Sequence, residues 1–148
     1  MQPSHPFVQH LALKTIPSII ATEFWMWETF GTQLFSGHID ILQVDGKTVR
    51  IIDYKPDLRY DPSTENFGKH FVDSIPQVAA YAIILDLLFG LRASGLKIEC
   101  VTFNKYGYYL YDPYQAMESS VQFYWDKIHT LPVWHALLPK FVIDRITK

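Results

Sequence analysis

The Asp45-Gly46 pair, set between two runs rich in β-branched residues, constrains this chain more than any other feature. Asp-Gly is a strong signal for a tight antiparallel hairpin, because glycine readily takes the positive φ that such turns require. With Asp45 and Gly46 at the two turn positions, Gln33 to Val44 forms one strand and Lys47 to Tyr54 the returning one. Val44 then faces Lys47, Asp40 faces Ile51 and His38 faces Asp53. Side chains alternate between the faces of a strand, so Asp40, Asp53 and Lys55 project from one side. Ile39, Ile41, Ile52 and Tyr54 fall on the other.

A second two-residue turn at Gly31-Thr32 would pair Ser18–Phe30 with the Gln33 strand, Phe30 facing Gln33. That register brings Glu23 opposite Asp40, on the acidic side, and turns Glu28 away. Facing carboxylates repel unless a cation lies between them.

Elsewhere the periodicities are plainer. Pro3 to Lys14 is a short helical lead-in. Pro56 to Phe71, with two prolines and many polar residues, reads as a long loop. Ser74 opens a helix that runs to about Leu91, Lys97–Phe103 and Gly107–Tyr111 are strands, and Pro113–His129 and Trp134–Ile146 are helical. The order implies an α/β or α+β fold: a central mixed sheet with an antiparallel hairpin, flanked by helices. One domain spanning 1–148 is expected, with a lead-in at 1–16, a catalytic core at 18–112 and C-terminal helices at 113–148.

Composition narrows the chemistry. The net charge of -2 and pI near 6.3 give no global basic field, although acidic metal ligands offset basic residues in such a sum. A single cysteine, Cys100, excludes a disulfide framework and any four-cysteine zinc or iron–sulfur site within the chain. Met1–Pro6 carries no Lys or Arg, and the apolar stretch Val78–Leu91 is too short to span a bilayer, so an intracellular, soluble protein is expected, cytoplasmic or nucleoid-associated.

Two or three carboxylates beside a lysine suit phosphodiester hydrolysis. Mg²⁺ or Mn²⁺ held by Asp40, Asp53 and Glu23 would neutralise phosphate charge and activate water. Lys55 would orient the attacking water or stabilise the developing negative charge.

Gly37-His38-Ile39-Asp40, then Ile51-Ile52-Asp53-Tyr54-Lys55, then Gln77-Val78-Ala79-Ala80-Tyr81, resemble the PD-(D/E)XK nuclease superfamily and its RecB-like exonuclease branch. The resemblance covers about Ser18 to Lys127 and implies a restriction-endonuclease-like core. It makes Asp40 and Asp53 metal ligands, the Tyr54 backbone carbonyl a third, Lys55 the catalytic lysine, and Gln77 and Tyr81 part of the site. His10 or Glu23 would match the extra upstream ligand of that branch. No iron–sulfur cluster is implied. The activity implied is a Mg²⁺- or Mn²⁺-dependent deoxyribonuclease acting on DNA ends or single strands, in a repair or recombination setting. A structure-specific or restriction-like endonuclease, with a homodimer among the options, and a silent nucleic-acid-binding domain of the same fold are the alternatives.

Each assignment has a plainer rival. Asp-x-Lys also describes a surface ion pair. Gln77 forms a capping box with Ser74, and Tyr81 could be core. His38 on a strand is more often a neighbour than a ligand. Arg59, Tyr60, Lys69 and His70 either touch nucleic acid or decorate a solvated loop. Trp125 and Trp134 read as packing residues.

Overall fold

The computed structural model describes residues 3–30, 33–56, 69–105 and 107–123. Among them the elements run α1 (His5–Thr15), β1 (Ile19–Phe30), β2 (Gln33–Asp45), β3 (Thr48–Tyr54), α2 (Lys69–Phe89), β4 (Lys97–Asn104), β5 (Gly107–Tyr111) and α3 (Pro113–Phe123). The strands make one sheet in chain order, β1-β2-β3-β4-β5. All neighbours are antiparallel except β3 and β4, which run parallel and are joined by the crossover that contains α2. The fold is α+β.

The β2–β3 turn differs from expectation. Asp45 pairs with Thr48, and Val44 with Val49, so the turn residues are Gly46 and Lys47. Gly46 has φ +58, the positive value that a hairpin with glycine first demands. The register is therefore displaced by two residues: Leu42, not Asp40, faces Ile51. A slip of two preserves which face each side chain occupies, whereas a slip of one would have reversed them all. The β1–β2 register agrees with the sequence reading from Phe30↔Gln33 to Thr22↔Ile41, and shifts only near Ile20.

Leu42, Val49 and Ile51 pack with Ile98 and Cys100 against Val78, Ala79, Ala82 and Ile83 of α2. The Cys100 thiol lies 3.8 Å from the Val78 carbonyl, which fixes α2 closely over β4, and burial pushes its pKa well up. α2 begins at Lys69, five residues before the sequence reading, and holds Pro76 in its interior. Proline there removes a helical hydrogen bond, yet Pro76 is buried and packing keeps the helix continuous. Ser74 thus lies inside α2 and is no N-cap, which removes the capping-box reading of Gln77.

At its far end α2 is tied to α3. The buried Asp86 carboxylate accepts from the Arg92 backbone N–H at 2.9 Å, from Arg92 Nε at 2.6 Å and from the Tyr114 hydroxyl. The Arg92 guanidinium lies 3.5 Å over the Tyr114 ring. Burial works against the Asp86 charge, but these donors together hold its pKa below the ordinary value. Among the described residues, no helix is long and apolar enough to cross a membrane.

Candidate active site

The β2–β3 ladder is paired as far as Ile41↔Ile52. The next residue on each strand is an aspartate, Asp40 on one and Asp53 on the other, so the register carries the two carboxylates level. Asp40 Oδ2 accepts the Tyr54 backbone N–H at 3.3 Å, where a strand carbonyl would otherwise serve. Asp40 is only 8% exposed.

Asp53 is held by the lysine two residues on. Lys55 Nζ donates to Oδ1 at 3.0 Å and lies 2.9 Å from Oδ2, outside hydrogen-bonding geometry for that second oxygen. Oδ2 is consequently a buried oxygen with no hydrogen bond. Burial raises the Asp53 pKa to about 6; Lys55 opposes the rise, and the neighbouring Asp40 charge adds to it. The Lys55 backbone N–H donates to the Phe103 carbonyl at 3.0 Å, which extends the parallel pairing one residue past β3 and fixes the lysine's base.

Glu23 lies between Thr22, paired with Ile41, and Phe24, paired with Ile39, which sets it opposite Asp40 as expected. It has φ 52, the left-handed region, in the middle of a strand. A non-glycine residue held there costs on the order of 1–3 kcal/mol, and such strain gathers at functional positions. His38 was expected opposite Asp53, but the shifted β2–β3 register brings Asp40 there instead; across β1–β2, His38 faces Trp25, as the expected register of that pair implies. Its Nε2 lies 3.5 Å from both Glu23 Oε2 and Asp40 Oδ1. Glu23, His38 and Asp40 thereby bring three possible ligand atoms within 4.8 Å of one another. This tight group is not the expected set of Asp40, Asp53 and Glu23: His38 joins it, and Asp53 stands on the Lys55 side.

α1 completes the surroundings, through residues the sequence reading passed over. Gln9 is buried, and its Nε2 donates to Glu23 Oε1 at 2.6 Å and to the Asp40 carbonyl at 3.4 Å. His5 Nε2 donates to the Tyr54 carbonyl at 2.6 Å and lies 3.7 Å from Asp40 Oδ2. That carbonyl is the one the resemblance makes a metal ligand. His10, the α1 residue singled out from sequence, is exposed. The spacing of His5 and Gln9, one helical turn apart on one face, was the available signal.

α2 contributes Gln77 and Tyr81. Gln77 Nε2 donates to the Tyr81 hydroxyl at 2.9 Å. A Cβ added to Gly37 would meet the Tyr81 hydroxyl oxygen at 2.6 Å, so the phenol occupies the space a side chain at 37 would need. Burial raises the Tyr81 pKa, the Gln77 bond lowers it, and the nearby charge of Asp53 raises it again. The glycine of the first motif and the tyrosine of the third are therefore two halves of one contact. Arg59, Tyr60, Trp125, Trp134 and the Gly31-Thr32 turn lie outside the described residues. Lys69 and His70 belong to the first turn of α2 rather than to a loop.

The donor set suits a hard divalent cation: carboxylate oxygens, an imidazole nitrogen, a nearby backbone carbonyl and one buried carboxylate oxygen without a hydrogen bond. No protein-family model, curated protein or solved structure matches this chain.

Proposed function

We propose that this chain is a Mg²⁺- or Mn²⁺-dependent nuclease that hydrolyses DNA phosphodiester bonds at ends or in single strands. The observation that carries the reading is the meeting of Asp40, Asp53 and Lys55 where the β2–β3 ladder gives way, with Asp53 Oδ2 buried and lacking a hydrogen bond. A structural ion pair would be expected to satisfy both oxygens of a buried carboxylate. Here Oδ2 has the Lys55 charge beside it at 2.9 Å but no hydrogen bond, which leaves its lone pairs to a cation.

Asp40 and Asp53 would hold the cation, with Glu23 and His38 completing the donors on the Oδ1 side of Asp40. When bound, a divalent ion supplies Lewis acidity toward the phosphate and lowers the pKa of water at the site. Lys55 Nζ, 3.0 Å from Asp53 Oδ1, is positioned to stabilise negative charge that develops on the phosphate oxygens. Gln9 and the strained Glu23 backbone hold the glutamate carboxylate in place. Gln77 and Tyr81, joined by the hydrogen bond to the phenol that packs against Gly37, would border the phosphate on the α2 side.

The test is cleavage of end-labelled DNA by the purified chain with Mn²⁺. Activity is expected with Mn²⁺ or Mg²⁺ and lost in chelator. Asp53→Ala and Lys55→Ala should each lower the rate at least ~100-fold. Undiminished cleavage in both variants would sink the mechanism. Oligonucleotide binding with no metal-dependent cleavage would make the chain a binding domain instead.

A further inference from the structure

The outward side of β1 carries a feature that the carboxylate cluster does not use. Strand alternation sends Met26 into the core at 3% exposed, and sends Trp25 and Trp27 to the opposite side. Trp25 is 64% exposed and Trp27 69%. Indoles gain more from burial than almost any side chain, so two open ones on a single strand face call for an explanation. These two are continuous with the candidate site. The Trp25 ring centroid lies 5.2 Å from that of His38, and His38 in turn contacts Glu23 and Asp40. Trp27 pairs across the strands with Ser36, a small residue that leaves the indole open, and exposed Leu34 continues the strip.

We propose that Trp25 and Trp27 form a stacking subsite for successive unpaired bases of a single DNA strand, leading it onto the Glu23–His38–Asp40 cluster. The proposal rests on the nuclease reading above and deepens it, because it selects single strands over duplex. Every base offers a π-face to an aromatic side chain, but in a duplex those faces are covered by neighbouring bases. Two residues of strand set the indoles about 6–7 Å apart. That is roughly twice the ~3.4 Å spacing along a B-form strand, so the pair fits a strand drawn out of its helix rather than stacked within one. With a net charge of -2, the chain has no overall positive field to gather phosphates. Stacking supplies affinity that a basic groove would provide elsewhere.

The experiment uses the full chain carrying Lys55→Ala, in Ca²⁺, so that binding is read without cleavage. A fluorescently labelled thymidine oligonucleotide of about a dozen nucleotides is titrated and followed by anisotropy. Trp25→Ala and Trp27→Ala should each weaken binding about tenfold, Trp25→Phe should retain most of it, and a blunt duplex should compete poorly. Unchanged affinity in the Trp25→Ala/Trp27→Ala double variant overturns the proposal. Protection of both indoles from acrylamide quenching in the free protein, read in a Trp125→Phe/Trp134→Phe background, also overturns it, since that marks a surface already covered by protein. Failure of the nuclease reading registers separately, as absence of Mn²⁺-dependent cleavage by the unmodified chain.

Discussion

Asp53 sets two demands against each other. Its carboxylate is largely buried beside a second one, and its pKa moves from the ordinary 3.8 to about 6. An acid whose folded pKa is raised binds its proton more tightly in the folded state. Below pH ~4 it is protonated in both states and costs nothing; as the pH climbs through about 6 the folded state carries the full penalty. Asp53→Asn removes that penalty. In chelator at pH 7.5 the variant should be more stable than the parent by about 1–3 kcal/mol, and the gain should vanish near pH 4. Thermal melts across that range check it, and equal stability at pH 7.5 would show the burial cost to be met by other contacts. With Mn²⁺ the order should reverse, because only the parent chain retains both aspartates to bind the ion.

Between elements, the contact to question is α2 on β2. Gly37→Ala places a methyl group where the Tyr81 ring now lies, so the ring or the helix must shift. We expect a loss of about 1–3 kcal/mol in urea unfolding. In a Tyr81→Ala background the same substitution should cost far less, a coupling that a double-mutant cycle measures. Additive costs would mean that the two residues do not share the space. The sequence displayed both residues but not their contact, since Gly37 lies on a strand and Tyr81 on the helix of a later crossover. The hairpin shows what periodicity can carry. Asp-Gly signals a tight turn but fits either with both residues at its centre or with Gly46 first, and the second register is the one observed. Facing survived the slip from Ile41 onward, because two residues is one full strand period, but Ile39, expected beside Ile41, packs in the core with Leu42, so the alternation breaks at Asp40. His5 and Gln9 escaped notice because their role depends on how α1 lies against β1 and the end of β3, which local pattern does not encode. The start of α2 was misplaced for a similar reason: burial of Pro76 outweighs proline's aversion to helix interiors.

At the scale of the whole molecule, the alternation of strands and helices was enough to give the α+β class, because each change in hydrophobic period marks an element. The substrate's topology was not legible, and the site's position bears on it. Among the described residues β1 is an edge strand, and on the proposed reading the Trp25–Trp27 strip along it would take a strand end from that edge. Covalently closed circular duplex should therefore resist cleavage under conditions that degrade the same DNA after linearisation and heating. Gel analysis of the two forms checks this, and rapid nicking of the circle would favour the endonuclease alternative.

The connectivity of the sheet also bears on how the site comes into being. β1, β2 and β3 are consecutive neighbours, whereas β4 reaches β3 only after the crossover through α2. Local contacts form faster than distant ones, because less chain entropy is lost in closing them. The acidic cluster should consequently assemble with the early meander, and Tyr81 should dock on Gly37 only when the crossover closes. A refolding chain would then pass through a stage that gathers carboxylates before it sets the phenol beside them.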